Sequence, residues 1–454
     1  MTMVSRTGYA DVLVGLQYGD EGKARIVDHL AGDYDVIARF NGGANAGHTI
    51  DAPGGALRLR QVPSGVLHPS LSLYIGSGCA IGLADLADEI AMLASRGISL
   101  RGRLIVSDRC LLVQPAHVAR DRDEGGGVGT TGNGIGPCHA DHATRMRGGM
   151  RVAFQLRDLV ADSEAVFRHL SKPDTRVGMD AGMLTNSSAI ARMRAAWRTV
   201  RGFVTAEPDH LLRRVEGGAR VLFEGAQSVL LDLTHGEQPW VTSSHTVPAY
   251  AYVGGDLPCK YHRKTIGVAK AIVSRVGAGP FPSELGGTRS ARYCATAAAD
   301  RGARHREAVH HEPARLLASD DAFDIGSALR VLADEYGTVT GRPRRIGLLD
   351  VAQLRMTMRQ HGIDEWFLNK CDCLAWFADT PRQAIPLFDG APHGAAEPAV
   401  REFAAFRFDA LPKGREDPLP PQLDALLHWL EDAVSCRLLG IGLGPARDQL
   451  RSLY

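Results

Sequence analysis

The stretch Asp11-Val12-Leu13-Val14-Gly15-Leu16-Gln17-Tyr18-Gly19-Asp20-Glu21-Gly22-Lys23 decides the fold class. Residues 11–16 form an apolar run that reads as a buried strand. Residues 17–23 make a polar, glycine-bearing loop. Over 24–31, Ile26, Val27 and Leu30 recur at helical spacing, so the loop opens a helix. A second apolar strand, Val36-Ile37-Ala38-Arg39-Phe40, follows at once. It runs into the loop Asn41-Gly42-Gly43-Ala44-Asn45-Ala46-Gly47-His48-Thr49.

The pattern recurs outward from there. Strands are expected at 73–75 and 104–107 with a helix over 83–96 between them. Further strands are expected at 220–223, within the apolar run 264–274, and at 366–368. Strands alternating with helices predict an α/β fold with a large, mostly parallel central sheet flanked by helices. Polar loops at the carboxyl ends of such strands are the usual ligand site. No linker divides residues 1–454, which read as one domain. The stretches 286–312, rich in Arg, Ala and His, and 381–416, rich in Ala, Pro and charge, read as mobile surface insertions.

Composition narrows the function. Lys and Arg number 52 against 51 Asp and Glu, a net charge of +1, so there is no overall field to hold nucleic acid or an anionic membrane. No apolar run reaches the length of a membrane span, and residues 1–10 lack the apolar core of a signal segment. The eight Cys show no framework spacing, so the reducing cytoplasm is the expected compartment.

Several loops carry chemistry. Gly19-Asp20-Glu21-Gly22-Lys23 offers backbone amides, a helix N-terminus and a lysine charge to a phosphate. It is not a Walker A loop: Gln17 replaces its first glycine and Ala24 its Ser/Thr. The bland alternative is a capped strand-to-helix turn with solvated charges. His48 in its glycine loop can donate to a developing negative charge, or be an ordinary hydrogen-bonded loop residue. The glycine-dense run at 125–137 suits a phosphate nest or a flexible lid. Asn369-Lys370-Cys371-Asp372 resembles the guanine-reading element of GTPases. Gly341-Arg342-Pro343-Arg344-Arg345 gathers guanidinium forks suited to carboxylate or phosphate, or forms a basic surface turn. Cys138-His139-Ala140-Asp141-His142 and the stretch 305–311 contain possible metal ligands, but neither has a second pair at zinc spacing.

Taken together and in order, these loops resemble the adenylosuccinate synthetase family. The resemblance rests on 15–23, on Phe-Asn-Gly-Gly-Ala-Asn-Ala-Gly-His-Thr at 40–49, Val-Pro-Ser-Gly at 62–65 and Gly-Thr-Thr-Gly-Asn-Gly-Ile-Gly-Pro at 129–137. It continues through Phe-Glu-Gly-Ala-Gln at 223–227, Asp-Leu-Thr-His-Gly at 232–236, Val-Thr-Ser-Ser at 241–244 and Arg-Val-Gly-Ala-Gly-Pro-Phe-Pro at 275–282. It ends with Thr-Gly-Arg-Pro-Arg-Arg-Ile-Gly at 340–347, Asn-Lys-Cys-Asp at 369–372 and Gly-Pro at 444–445. It spans nearly the whole chain outside the two stretches named above.

The resemblance implies a P-loop-GTPase-like nucleotide site and a GTP- and Mg²⁺-dependent ligase joining L-aspartate to IMP. The IMP 6-oxygen would attack the γ-phosphate of GTP, and the aspartate amine would then displace that phosphate, giving adenylosuccinate. By the same resemblance Asp20 would take the N1 proton of IMP and, with the Gly47 carbonyl, bind Mg²⁺. His48 would donate to the transferring phosphoryl group, and Lys23 would hold the phosphates. Asn45, Thr131, Gln227, Thr242 and Val276 would hold IMP, with Gln227 in the catalytic set. Arg145 would reach the IMP phosphate across a homodimer. Thr340 and Arg342 would meet aspartate. Gly19, Glu21, Gly22, Arg344, Lys370, Asp372, Gly444 and Pro445 would line the GTP site.

The chain departs from the family's usual pattern at Ala24, Arg25, Asn133, Val339 and Pro343. It also departs in Ser-Ser-His-Thr-Val-Pro at 243–248 and around Gly444-Pro445. The departures motivate an alternative: the same chemistry on a modified purine-like nucleotide or with another amino acid. A viral branch that makes 2-aminoadenine precursors usually replaces the base by Ser, whereas Asp20 is present. A non-catalytic GTP-binding regulator is a third possibility, which retention of Asp20 and His48 opposes.

Overall fold

The computed structural model describes residues 8–124, 130–172, 179–297, 302–337, 341–390, 399–412 and 417–454. Its centre is a ten-stranded sheet. In chain order the strands are β1 Tyr9–Gly15, β2 Val36–Arg39, β3 Ser72–Ile75, β4 Leu104–Ser107, β5 Val204–Thr205, β6 Arg220–Ser228, β7 His262–Lys270, β8 Glu365–Asn369, β9 Arg437–Gly442 and β10 Leu450–Ser452. They lie in the order β5-β4-β3-β2-β6-β1-β7-β8-β9-β10. Every pairing is parallel except the last, β9 with β10. The expected mostly parallel sheet is the one observed.

β1 is central because its alternate side chains serve two cores. Val12, Val14 and Leu16 enter the apolar cluster on one face, and Leu13 enters the cluster on the other. Each such side chain, fully buried, contributes roughly 1.5–3 kcal/mol. Helix α1, Lys23–Leu30, packs Ile26 and Val27 into the second cluster. Helix α2 is Leu83–Ser95 and helix α3 is Ile135–Thr144.

The stretch 286–312 carries α4, Gly287–Ala297, and α5, Ala303–His310, which pack against α6, Ala322–Leu332. In 381–416, Ala384–Phe388 and Val400–Ala404 form an antiparallel pair. Among the described residues no helix is long and apolar enough to cross a membrane.

Candidate active site

Neighbouring strands β2, β6 and β1 deliver His48, Gln227 and Asp20 from their carboxyl ends. Two side-chain amides extend the ladder past those ends. Asn41 donates to the Ala226 carbonyl at 3.1 Å and accepts from the Ala226 amide at 2.8 Å. Gln17 does the same with Lys270, donating at 3.1 Å and accepting at 3.0 Å. Both loops are thereby fixed to the neighbouring strand, which orients what they carry.

The loop before α1 is held from within. The buried Glu21 carboxylate accepts from the Gly19 amide at 2.8 Å, Ser228 Oγ at 2.6 Å and Lys23 Nζ at 2.8 Å. Burial works to raise its pKa, but Lys23 and Ser228 outweigh this and keep it below the ordinary range. The Glu21 side chain therefore shapes the loop. Gly22, at φ 86°, caps the helix in the left-handed region, and a Cβ there would stand 2.7 Å from Asn369 Nδ2. Asn369 Nδ2 in turn donates to the Glu21 carbonyl at 2.6 Å. The first-turn amides of α1, which no intrahelical carbonyl can satisfy, open beside Lys23 and suit a phosphate.

Asp20 also has a positive φ, 58°. Its side chain is 38% exposed, and Arg344 Nη2 lies 2.6 Å from Oδ2. Burial pushes the Asp20 carboxyl up, but the Arg344 and Lys270 charges dominate and hold it below the usual range.

Arg344 is buried and also meets Glu335 Oε2, at 2.5 Å. Glu335, fully buried, accepts from Lys370 Nζ at 2.6 Å and Ser274 Oγ at 2.8 Å, with Lys270 Nζ at 3.4 Å. Burial raises its pKa, and these cations drive it well below the ordinary value. One carboxylate thus ties Lys370 to the arginine that touches Asp20.

His48 Nδ1 lies 2.5 Å from Glu224 Oε1. Glu224 also accepts from the Ser64 amide at 2.8 Å and from Ser64 Oγ at 2.5 Å. Burial raises its pKa, but His48 and Arg39 bring it down to about 2. The carboxylate is charged, so Nδ1 carries the donated proton and Nε2 is left for a ligand. Burial lowers the His48 pKa, and the Glu224 charge offsets only part of that.

Gln227, at φ 56°, buries an Oε1 that has no hydrogen-bond partner among the described residues. Asp372 likewise buries an unpartnered Oδ1, and desolvation raises its pKa. Unpartnered buried oxygens beside the loops call for a donor that the ligand supplies.

The other expected residues spread around this centre. Asn45 Oδ1 accepts from the Gly43 amide at 3.0 Å. Asn133 donates to Thr131 Oγ1 at 3.0 Å and to the Ala44 carbonyl at 3.3 Å, joining two substrate loops. The Thr242 amide donates to the Leu231 carbonyl at 2.8 Å, in a loop gathered by Asp232, which accepts from the Thr234 and His235 amides. Val276 is 40% exposed. Arg342 is half-buried. Arg145, exposed at the end of α3 with φ 63°, has no side-chain partner among the described residues. Gly47 is exposed. Gly444, φ 149°, precedes Pro445 and accepts from Arg25 Nη1 through its carbonyl. Thr340 lies outside the described residues.

Four participants carry no role in the sequence reading. Glu224 and Ser64 sit inside motifs quoted above, and that was their signal. Lys270 lies within an expected strand, and Glu335 had no motif of its own. The run at 342–345 is not a surface turn, since Arg344 and Arg345 are both buried.

An adenylosuccinate synthetase family model matches residues 12–451. "Adenylosuccinate synthetase 2" of Cupriavidus pinatubonensis is 62% identical over 452 residues, covering 99% of both chains. The adenylosuccinate synthetase of Thermus thermophilus is 36% identical, covering 96% of this chain and 97% of that one. A fully ligated adenylosuccinate synthetase structure from Plasmodium falciparum superposes with a TM-score of 0.77 at 26% identity, covering 98% of this chain and all of that one. A family model over nearly the whole chain and a relative 62% identical along its length show that the chain belongs to the adenylosuccinate synthetase family.

Proposed function

We infer that this chain is a GTP-dependent ligase that joins L-aspartate to IMP to give adenylosuccinate, GDP and phosphate. The observation that supports the mechanism is that Asp20 and His48 lie in loops after two strands of the sheet, and Gln227 at the carboxyl end of the strand between them. Asp20 accepts the N1 proton of IMP as O6 bonds to the γ-phosphorus. His48 donates from Nε2 to the phosphoryl and leaving oxygens while Glu224 fixes its ring. The bond to the β-phosphate oxygen breaks and GDP leaves. The aspartate amine then attacks C6, and phosphate departs with the electron pair of the C6–O6 bond. Asn45, Thr131, Thr242 and Val276 hold IMP; Thr340 and Arg342 meet the aspartate carboxylates. Arg344, Lys23, Lys370, Asp372 and the loop at Gly444 hold GTP.

An isolated Asp has a pKa of about 3.9 and is a weak base in water. Arg344 lowers it further in the ligand-free state. Basicity at Asp20 therefore requires that Arg344 turn from it to the nucleotide phosphates. The Asp20 carboxylate and the Gly47 carbonyl are hard oxygen donors that fit Mg²⁺, which takes few protein ligands alongside phosphates. Bound there, Mg²⁺ would neutralise phosphate charge. A cytoplasmic homodimer with Arg145 donated across its interface completes the reading.

GDP release by the purified chain with GTP and Mg²⁺ tests it, with IMP and L-aspartate added singly and together. Release that needs both, with an adenylosuccinate product, is expected. GTP turnover with IMP that ignores aspartate would overturn the amino-acid assignment.

A further inference from the structure

The segments on either side of residues 338–340, one of which bears Arg342 and Arg344, pair with each other as two legs. The Arg344 amide donates to the Glu335 carbonyl at 3.0 Å, the Gly337 amide donates to the Arg342 carbonyl at 2.8 Å, and Tyr336 bridges Pro343. Their base is fixed to the body of the protein through Glu335, which meets Lys270, Ser274 and Lys370, and through Arg345, which meets Glu284. A buried ion pair behind them adds a further attachment to each leg. Arg330 of α6 donates from Nε to Glu307 Oε2 at 2.9 Å. Each partner then takes one leg. Tyr336 Oη donates to Glu307 Oε2 at 2.6 Å, and Arg330 Nη1 donates to the Arg344 carbonyl at 3.3 Å. Tyr293 of α4 fills the other Glu307 oxygen at 2.6 Å. Glu307, Arg330 and Tyr336 are 2%, 1% and 6% exposed, so no solvent competes for these bonds.

Glu307 belongs to α5, in the Arg- and His-rich stretch before the loop. The same helix grips the near leg again. Arg304 pairs with Asp334 at 2.6 Å and lies over the Tyr336 ring at 6.0 Å.

We propose that Glu307 is a positioning residue of the ligase: from α5 it holds, through Tyr336 and Arg330, both legs of the loop that meets the amino-acid substrate. It touches no reacting atom. It sets where Arg342 stands, and so governs binding of the amino acid more than binding of the nucleotide acceptor. This rests on the reading that Arg342 meets the aspartate carboxylates.

Glu307→Gln keeps the shape but offers an NH₂ where a carboxylate oxygen accepted. Tyr336→Phe removes one hydroxyl and leaves the Arg330–Glu307 pair intact, so it keeps the test open if the first variant folds poorly. The purified full chain is assayed with GTP, IMP and L-aspartate, alongside Arg342→Leu. Both positioning variants are expected to raise the aspartate KM about tenfold, since a small displacement of a substrate-positioning group is costly, with the IMP KM within about twofold. Glu307→Asp, which keeps the charge, is expected to recover part of the loss. A lower Tm with all three KM values unchanged, or an equal rise in all three, would overturn the proposal alone when Arg342→Leu still raises the aspartate KM. An aspartate KM indifferent to Arg342→Leu would overturn the amino-acid reading of the loop, and the proposal with it.

Discussion

The guanidinium of Arg344 stands between two carboxylates, with Nη2 2.6 Å from Asp20 Oδ2 and Nη1 2.5 Å from Glu335 Oε2. While that pair holds, Asp20 is a hydrogen-bond acceptor already engaged and a carboxylate made less basic. A nucleotide triphosphate offers the guanidinium a stronger bidentate partner. On the proposed roles of Arg344 and Asp20, arrival of GTP would release the carboxylate.

Asp20→Asn separates these two roles. Asn cannot accept the N1 proton, so turnover is expected to fall by about 10²–10⁴-fold. Binding of GTP is expected to persist, because the substitution removes the anion that competes with phosphate for Arg344. Single-turnover GDP release and equilibrium GTP titration give the two numbers. Turnover within about tenfold of the parent would remove Asp20 from the base's role.

The His48–Glu224 pair predicts a pH profile. His48 donates only when protonated, so the rate is lost as pH rises through its pKa in the complex. Glu224 supplies the negative charge that raises that pKa against burial. Glu224→Gln should move the alkaline limb of kcat to lower pH, by about one unit or more for a buried contact charge. An unmoved limb would mean that His48 is not the titrating donor. Stability follows Glu224 itself. Its folded pKa of about 2 lies below the ordinary 4.5. Its contribution is thus full above about 4.5 and disappears as pH falls toward 2. Thermal melts over that window should show a shallower acid loss in the Gln variant.

The proposed guanine-reading role of Asp372 gives a third test. Its buried Oδ1, without a hydrogen-bond partner among the described residues, is an acceptor that could take the N1–H or N2–H of guanine. Asn at this position offers a donor in place of one acceptor, which suits the oxygen that xanthine carries at C2. Asp372→Asn should lose about 10²-fold or more in kcat/KM with GTP and gain activity with xanthosine triphosphate. Because desolvation raises the Asp372 pKa, GTP affinity should also weaken as pH falls through that raised value. Equal use of both nucleotides by the parent chain would contradict this assignment.

What the sequence made legible, and what it did not, follows from the range of the forces involved. The strand at 11–16 and the loop after it are local. An apolar run, two glycines and a helical period suffice to place Asp20 and Lys23. Ser64 and Glu224 are 160 residues apart, and no spacing rule joins them. Glu335 looks like any acidic residue before a turn until Lys270, Lys370 and Arg344 converge on it from three separate segments. The contacts of Glu307 with Arg330 and Tyr336 were equally out of reach, since they join residues 23 and 29 positions apart.

Arg145, exposed and without a side-chain partner among the described residues, gives the remaining test. If it serves the IMP phosphate of a second copy, Arg145→Ala and Asp20→Asn should each be nearly inactive alone. Mixed and allowed to exchange subunits, they form dimers in which one site joins the intact Asp20 of one protomer to the intact Arg145 of the other. With random exchange about a quarter of the parent activity should return, one site in two over half the dimers. No recovery, with subunit exchange demonstrated by mass, would place Arg145 in its own protomer's site or outside the reaction.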